Sequence, residues 1–205
     1  MSRVPVPALA LLALALLLAA SLVDAPWPEE QALQQFGTAG GVAYFLVAWR
    51  RWKASNAALL LFALFLALHV VGARWIYSYV PYDAWCEAAL GFRPTQACGW
   101  ERNHYDRFVH ASYGVLATPL FAETARTWLA AARGRSIAVA VLLVIATSAL
   151  YELGEWIVAF VAAPERADRY LGQQGDPWDA QKDMFLATAG ACVTAVVLVA
   201  RRSRS

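Results

Sequence analysis

Charge is scarce in this chain. Only 16% of its 205 residues are Asp, Glu, Lys or Arg, against 60% hydrophobic residues. A soluble domain carries about 25% charged and about 45–50% apolar residues. Both shifts exclude an ordinary soluble domain and indicate a polytopic membrane protein. The net charge is +2, too small to argue for nucleic acid. The basic residues gather in short connections, which suits topology instead. There are three histidines and three cysteines, and no CxxC. A thiolate zinc site is therefore not expected. No Ser–His–Asp or Cys–His constellation stands out. No repeat, linker or low-complexity tract divides the chain, so residues 1–205 read as a single integral membrane domain.

What is abundant is long apolar runs. About 20 apolar residues are needed to cross the hydrocarbon core. Six runs qualify: Pro7–Val23, Ala32–Trp49, Ala57–Val80, Phe108–Ala125, Ile137–Ala163 and Phe185–Ala200. The fold class expected is all-α, a bundle of about six transmembrane helices. The first run has a second reading as a cleaved signal, with Arg3 ahead of it and small residues at Ala20 and Ser21. Its length and the lack of an A-x-A site favour a retained helix. The second run is interrupted by Gln34 and Gln35. Arg50, Arg51 and Lys53 lie in one connection, Arg126, Arg133 and Arg135 in another, and Arg201, Arg202 and Arg204 in the tail. The positive-inside rule then places both termini in the cytoplasm and the loops 81–105 and 164–178 outside.

Against this background "ERNHYDRFVH", Glu101 to His110, is dense in charge. Counting from the basic ends explains part of it. His69 lies 16 residues from Lys53, His110 16 from Arg126, Glu152 17 from Arg135, and Asp183 18 from Arg201. At 1.5 Å per residue each sits roughly 24–27 Å from the cytoplasmic ends. Four helices thus hold an ionisable group at one depth, near the outer surface. Asp106 and His110 are spaced i, i+4 and share a face; Glu152 and Glu155 are i, i+3. Asp176, Asp179 and Asp183 align if the last helix starts near Pro177. Arg74 and Tyr77 stand outward of His69. Ionisable groups at such depth are costly without partners, water or metal.

An oxygen-rich cluster with an imidazole suits a divalent cation such as Zn, Mn, Mg or Fe. Asp106, His110, Asp179 and Asp183 are the expected ligands, with Glu152 and Glu155 to move protons during hydrolysis. His69, Arg74, Arg102 and Asp176 complete the pocket. The substrate expected is a lipid or an envelope-linked molecule. Two alternatives stay open: a proton- or ion-coupled carrier, and a non-catalytic factor in which Arg74, Arg102, Arg107 and Lys182 pair with the acids. Asp176, before Pro177, is also placed to cap a helix. Glu123 is expected to pair at the cytoplasmic end. Cys86 and Cys98 share the outer loop, where an oxidising compartment permits a bridge; two free thiols are the alternative. Trp75, Tyr77, Tyr79, Tyr82 and Trp85 read as an interfacial belt.

Four segments carry a resemblance. "LHVVGARWIYSYVPY" (Leu68–Tyr82), "RNHYDRFVH" (Arg102–His110), "YELGEW" (Tyr151–Trp156) and "LGQQGDPWDAQKDM" (Leu171–Met184) together resemble the YjdF-like bacterial inner-membrane proteins. The likeness spans about Leu60 to Gly190. It implies a polytopic inner-membrane protein and carries no activity with it. "DRFVH" and "DMFLATAG" are also similar to elements of VanZ-like membrane proteins, with Arg107 in place of a lysine and Ala187 in place of an asparagine. That second likeness is one of fold.

Overall fold

The computed structural model describes residues 4–161, 170 and 172–200. Among them every regular element is a helix. The order is α1 (Val6–Leu22), α2 (Pro28–Arg50), α3 (Asn56–Arg74), α4 (Tyr82–Leu90), α5 (Pro94–Ala97), α6 (Tyr105–Trp128), α7 (Arg133–Val161) and α8 (Asp179–Ala200). The end of the fifth expected span, residues 164–169 and 171 of loop 164–178, Arg3 and the tail arginines lie outside the described residues. Among the described residues three helices are long and apolar enough to cross a membrane: α3, α7 and α8. α1 is apolar but shorter, at 17 residues. α2 and α6 have the length, at 23 and 24 residues, but carry more polar side chains.

α6 is the central helix. It packs on α3 to one side and on α7 and α8 to the other, while α1 and α2 lie against α3. Leu66, Leu120, Val144 and Phe45 fill the core between them. Leu142, Leu150, Val193 and Val196 point outward and are more than 60% exposed. An apolar exterior over a packed interior is the pattern of a bundle in lipid.

The α6–α8 contact is the closest. A Cβ on Gly114 would stand 2.0 Å from Ala187 O, and one on Gly190 would stand 2.5 Å from Ala111 O. Small residues let the backbones meet where hydrophobic driving force is weak. Pro119 falls inside α6. Lacking an N–H, it leaves the carbonyl four residues earlier without its helical donor. That carbonyl, Val115 O, accepts from Thr194 Oγ1 of α8 at 3.2 Å.

The helix ends differ from the apolar runs, each for a local reason. α2 begins at Pro28 rather than Ala32. Proline suits the first helical position, and Glu29 and Glu30 favour the positive end of the helix dipole. α8 begins at Asp179, so its acids lie within the helix rather than in a loop. α3 stops at Arg74, six residues short of the expected end. There the chain turns through Ile76 and Tyr77, both left-handed, with φ of 40° and 53°. The loop 81–105 is not unstructured: it holds α4 and α5, tied by Asp83 Oδ1 accepting from Thr95 N at 2.9 Å.

The Thr194 bond gives a test. Thr194→Val keeps the shape but orphans Val115 O, and is expected to cost about 1–3 kcal/mol in a detergent unfolding titration. Pro119→Ala restores the helical donor, so the double variant should lose less than Thr194→Val does alone.

Candidate functional site

The ionisable residues collect at one end of the bundle. His69 lies near the end of α3. Asp106 and His110 occupy the first two turns of α6. Glu152 and Glu155 lie toward the end of α7. Asp179 and Asp183 open α8. Within this end they separate into three groups.

The outermost group is an ion-pair lattice. Arg102 donates to Asp179 Oδ1 at 2.5 Å and Oδ2 at 3.1 Å, and Arg107 reaches Asp179 Oδ1 at 3.2 Å. Arg107 also pairs with Asp176, and Lys182 meets Asp176 at 2.5 Å. Asp176 accepts from Trp178 N at 3.1 Å, so it caps as well as pairs. Arg102 further donates to the carbonyls of Gln173 and Gly172. The lattice thus staples the α5–α6 connection to the entrance of α8. Asp179, expected as a metal ligand, has its carboxylate taken up by two guanidiniums. Arg102 and Asp176 belong here too, in a structural role. The Lys182 ammonium, with Trp178 N–H and Arg107, holds the Asp176 carboxyl below its ordinary range, at about 2.

Beneath it lies a smaller cluster. His110 Nε2 is 3.5 Å from Asp106 Oδ1 and 3.4 Å from Glu152 Oε1. Asp106, His110 and Asp183 each offer a ligand atom, and the three atoms lie within 4.8 Å of one another. An ion about 2.1 Å from each ligand calls for ligand atoms roughly 3.0–4.2 Å apart, the lower end for octahedral and about 3.4 Å for tetrahedral geometry. Asp183 is 2% exposed, and its Oδ1 has no hydrogen-bond partner; Glu152 Oε1 is buried and likewise without one. Buried polar atoms normally find partners. Among the described residues, the lattice cations are turned toward Asp176 and Asp179 rather than to these oxygens.

The third group faces α2. His69 Nε2 lies 3.1 Å from Gln34 O, and its Nδ1 meets the Tyr77 hydroxyl. Since a carbonyl can only accept, Nε2 carries the proton and Nδ1 accepts from Tyr77. Both nitrogens are thereby used, so His69 braces the pocket wall. Gly72 makes this possible: a Cβ there would stand 2.5 Å from the Tyr77 ring. Tyr77 is therefore buried and leaves the interfacial belt. Tyr151 donates to Gln34 Oε1, and Gln34 Nε2 donates to Glu155 Oε1 at 3.3 Å. Glu155 is drawn to α2 and away from His110.

Other expected residues go elsewhere. Arg74 donates to Ser21 O and Val23 O at 2.6 and 2.8 Å. It satisfies carbonyls at the end of α1, which have no helical donors, and does not join the pocket. Glu123 accepts from Ser55 N and Ser55 Oγ, both at 2.7 Å, so its partner is the cap of α3 rather than a basic residue. Cys86 and Cys98 are free thiols, the first half-buried on α4 and the second exposed at the end of α5; the bridge is not formed in this structure. Gln34, Tyr151 and Tyr77 were absent from the expected set. The signal for Gln34 was its intrusion into an apolar run; Tyr151 and Tyr77 gave none beyond their nearness in sequence to Glu152 and Arg74.

Below the clusters is a cavity of about 400 Å³ between α2, α3, α6 and α7. Its walls are mainly apolar, Phe62, Phe65 and Leu66 among them, and His69, His110 and Tyr151 also line it. His110 is common to the cavity and the acidic cluster.

Fold and site together define a helical membrane protein with buried acids and an imidazole gathered at one end of its bundle. The sequence pattern of the family described as "Predicted membrane protein (DUF2238)" matches residues 6–204, and the chain belongs to that family. It is 34% identical over 158 residues to the inner membrane protein YjdF of Escherichia coli (strain K12), across 77% of this chain and 71% of that protein. The YjdF-like resemblance is thereby established for the chain. No solved structure matches the chain.

The lattice makes a pH-dependent contribution. The folded Asp176 carboxyl lies near 2, below an unfolded value of about 3.9. Its stabilisation is complete above about pH 4 and is lost as pH falls through about 2. Asp176→Asn keeps the cap but removes the charge. Its melting midpoint should lie below wild type at pH 7, and the two should converge near pH 2.

Proposed function

We propose that the chain is a single membrane domain of six spans in the bacterial inner membrane, with both termini cytoplasmic. The site would then open to the periplasm. The basic connections support this orientation, since Arg50, Arg51, Arg126, Arg133 and Arg135 lie at the end of the bundle opposite the site. α2 and α6 span on this reading because their polar residues turn inward: Gln31, Gln34 and His110 are all buried.

We further infer a divalent-metal site made by Asp106, His110 and Asp183. The observation that carries it is the buried Asp183 carboxyl, whose Oδ1 is unpartnered, with one of its oxygens within 4.8 Å of ligand atoms of Asp106 and His110. Two carboxylates and one imidazole suit Zn, Mn, Mg or Fe. Such an ion, when bound, supplies Lewis acidity and an activated water. Glu152, whose Oε1 lies 3.4 Å from His110 Nε2 and is otherwise unpartnered, would be the carboxylate that takes up a proton in this reading. Glu155, bonded to Gln34, holds α7 against α2 instead. The reaction class this supports is hydrolysis of a lipid or envelope-linked substrate.

A second reading has one observation in its favour. His110 lies within 3.5 Å of both Asp106 and Glu152, a geometry that also passes protons between carboxylates. Against a through-path, the run from Ile137 to Leu150 carries no charge, whereas conducting paths are lined with polar groups.

Metal binding separates these readings. With a divalent ion at about 100-fold excess over Kd, wild-type protein should gain about 2.7 kcal/mol of stability in detergent. Asp183→Asn and His110→Gln should abolish the gain, whereas Asp179→Asn should retain it. A wild type that binds none of Zn, Mn, Mg or Fe in equilibrium dialysis would remove the metal reading. Proton flux in proteoliposomes, lost in Glu152→Gln, would establish the second reading in its place.

A further inference from the structure

The acidic cluster depends on where the His110 ring points, and the cluster itself fixes that only loosely. His110 Nε2 stands 3.5 Å from Asp106 Oδ1 and 3.4 Å from Glu152 Oε1. A well-formed N–H···O bond spans about 2.7–3.2 Å. The torsion that turns an imidazole about its Cβ is broad. Two long contacts of nearly equal length therefore do not hold the ring in one rotation. His110 also lines the cavity, so packing does not enclose it on every side.

Tyr151 of α7 supplies the restraint. Its ring meets the His110 ring at 70°, with centroids 6.0 Å apart. That is the edge-to-face arrangement aromatic pairs prefer. The same phenol ring stands at 80° to His69, with centroids 6.4 Å apart. Tyr151 is anchored in turn, because its hydroxyl donates to Gln34 Oε1. Gln34 is buried and held twice more: its carbonyl accepts from His69 Nε2 at 3.1 Å, and its Nε2 donates to Glu155 at 3.3 Å. Gly37, one turn along α2, leaves room for both rings. A Cβ there would stand 3.1 Å from the His69 ring and 3.7 Å from the Tyr151 ring. α2 gives no residue to the acidic cluster, yet through Gln34 it fixes the ring that packs on His110.

We propose that Tyr151 is a positioning residue for the site. Its ring, anchored by Gln34, holds the His110 imidazole with Nε2 toward Asp106 and Glu152. A ligating imidazole works best when its neighbours fix its orientation. The inference rests on the reading of His110 as a metal ligand proposed above, but the orientation itself belongs to the metal-free protein.

The test uses full-length protein in bilayers, with 15N in histidine and 13C in the carboxyl groups of Asp and Glu. Solid-state NMR dephasing of the His110 Nε2 signal, identified by its loss in His110→Gln, reads how close that nitrogen lies to its carboxylates. Without metal, the wild type should show strong dephasing. Tyr151→Leu should slow it at least twofold. Tyr151→Phe and Gln34→Met keep the ring edge but lose its anchor, and each should slow it less. Mn(II) dialysis on the same samples should give a Kd raised about two- to tenfold in Tyr151→Leu. A purely structural role would lower the melting midpoint and leave both readouts at wild-type values, which would overturn the inference. If Tyr151→Leu does not fold, dephasing slowed in both Tyr151→Phe and Gln34→Met supports the inference, and dephasing unchanged in both overturns it. A wild type that binds no ion while Tyr151→Leu slows the dephasing counts against the metal site alone. A wild type that binds the ion, with dephasing and affinity unchanged in Tyr151→Leu, counts against the positioning role alone.

Discussion

A polar atom that cannot reach water must find its partner inside the protein, and this constraint organises the molecule. In hydrocarbon the penalty falls on backbone and side chain alike. The Val115 carbonyl is the plainest case. Pro119 removes its helical donor, and Thr194 supplies a replacement from the next helix. The repair also fixes how α8 sits on α6. Arg74 does the same for the end of α1, and Arg133 for the end of α8, where it donates to Leu198 O at 2.9 Å. Several interhelical contacts here begin as the need to satisfy a helix end or an interrupted turn.

The same constraint sorts the acids. Arg102, Arg107 and Lys182 sit at the outer edge, and they take up Asp176 and Asp179. Broken buried pairs of this kind are costly because one charge is left without its partner, so the lattice is well suited to hold α8 and the α5–α6 connection together. Its cations are thereby spoken for. Asp106, Glu152 and Asp183 lie one layer further in, with His110 as the shared neighbour. A single imidazole is modest compensation for three carboxyl groups, and it is this imbalance that singles the inner layer out from the outer one.

Much of this was visible in the sequence, for a physical reason. Apolar runs report burial in lipid, and polar residues inside them report a pocket, so His69, His110, Glu152 and Asp183 could be placed at one end of the bundle by counting along helices. Counting gives height but not azimuth. Asp179 and Asp183 are four residues apart on one helix, yet one meets two arginines and the other meets the inner cluster. Glu155, three residues from Glu152, turns to Gln34 instead. Nor does a periodicity report a turn. Gly72 and the left-handed Ile76 and Tyr77 bring the Tyr77 hydroxyl back to His69; hydropathy merely continued the span through to Val80. Arg74 was misplaced for a related reason: a helix terminus needing donors competes for guanidinium with any acidic pocket nearby.

The division of His69 from His110 carries the chemistry furthest. Both are buried at the same end of the bundle, and sequence position alone would make them equivalent. His69 has one nitrogen committed to a backbone carbonyl and the other to a phenol, so its protonation state and orientation are fixed by neutral partners. His110 faces carboxylates through Nε2, and its ring also borders the cavity. One imidazole therefore acts as a strut, holding α3 to α2 and keeping the wall of the cavity in shape. The other lies between Asp106 and Glu152 on one side and the cavity on the other. His110 thereby joins the acidic cluster to the apolar slot, whereas His69 touches only neutral partners.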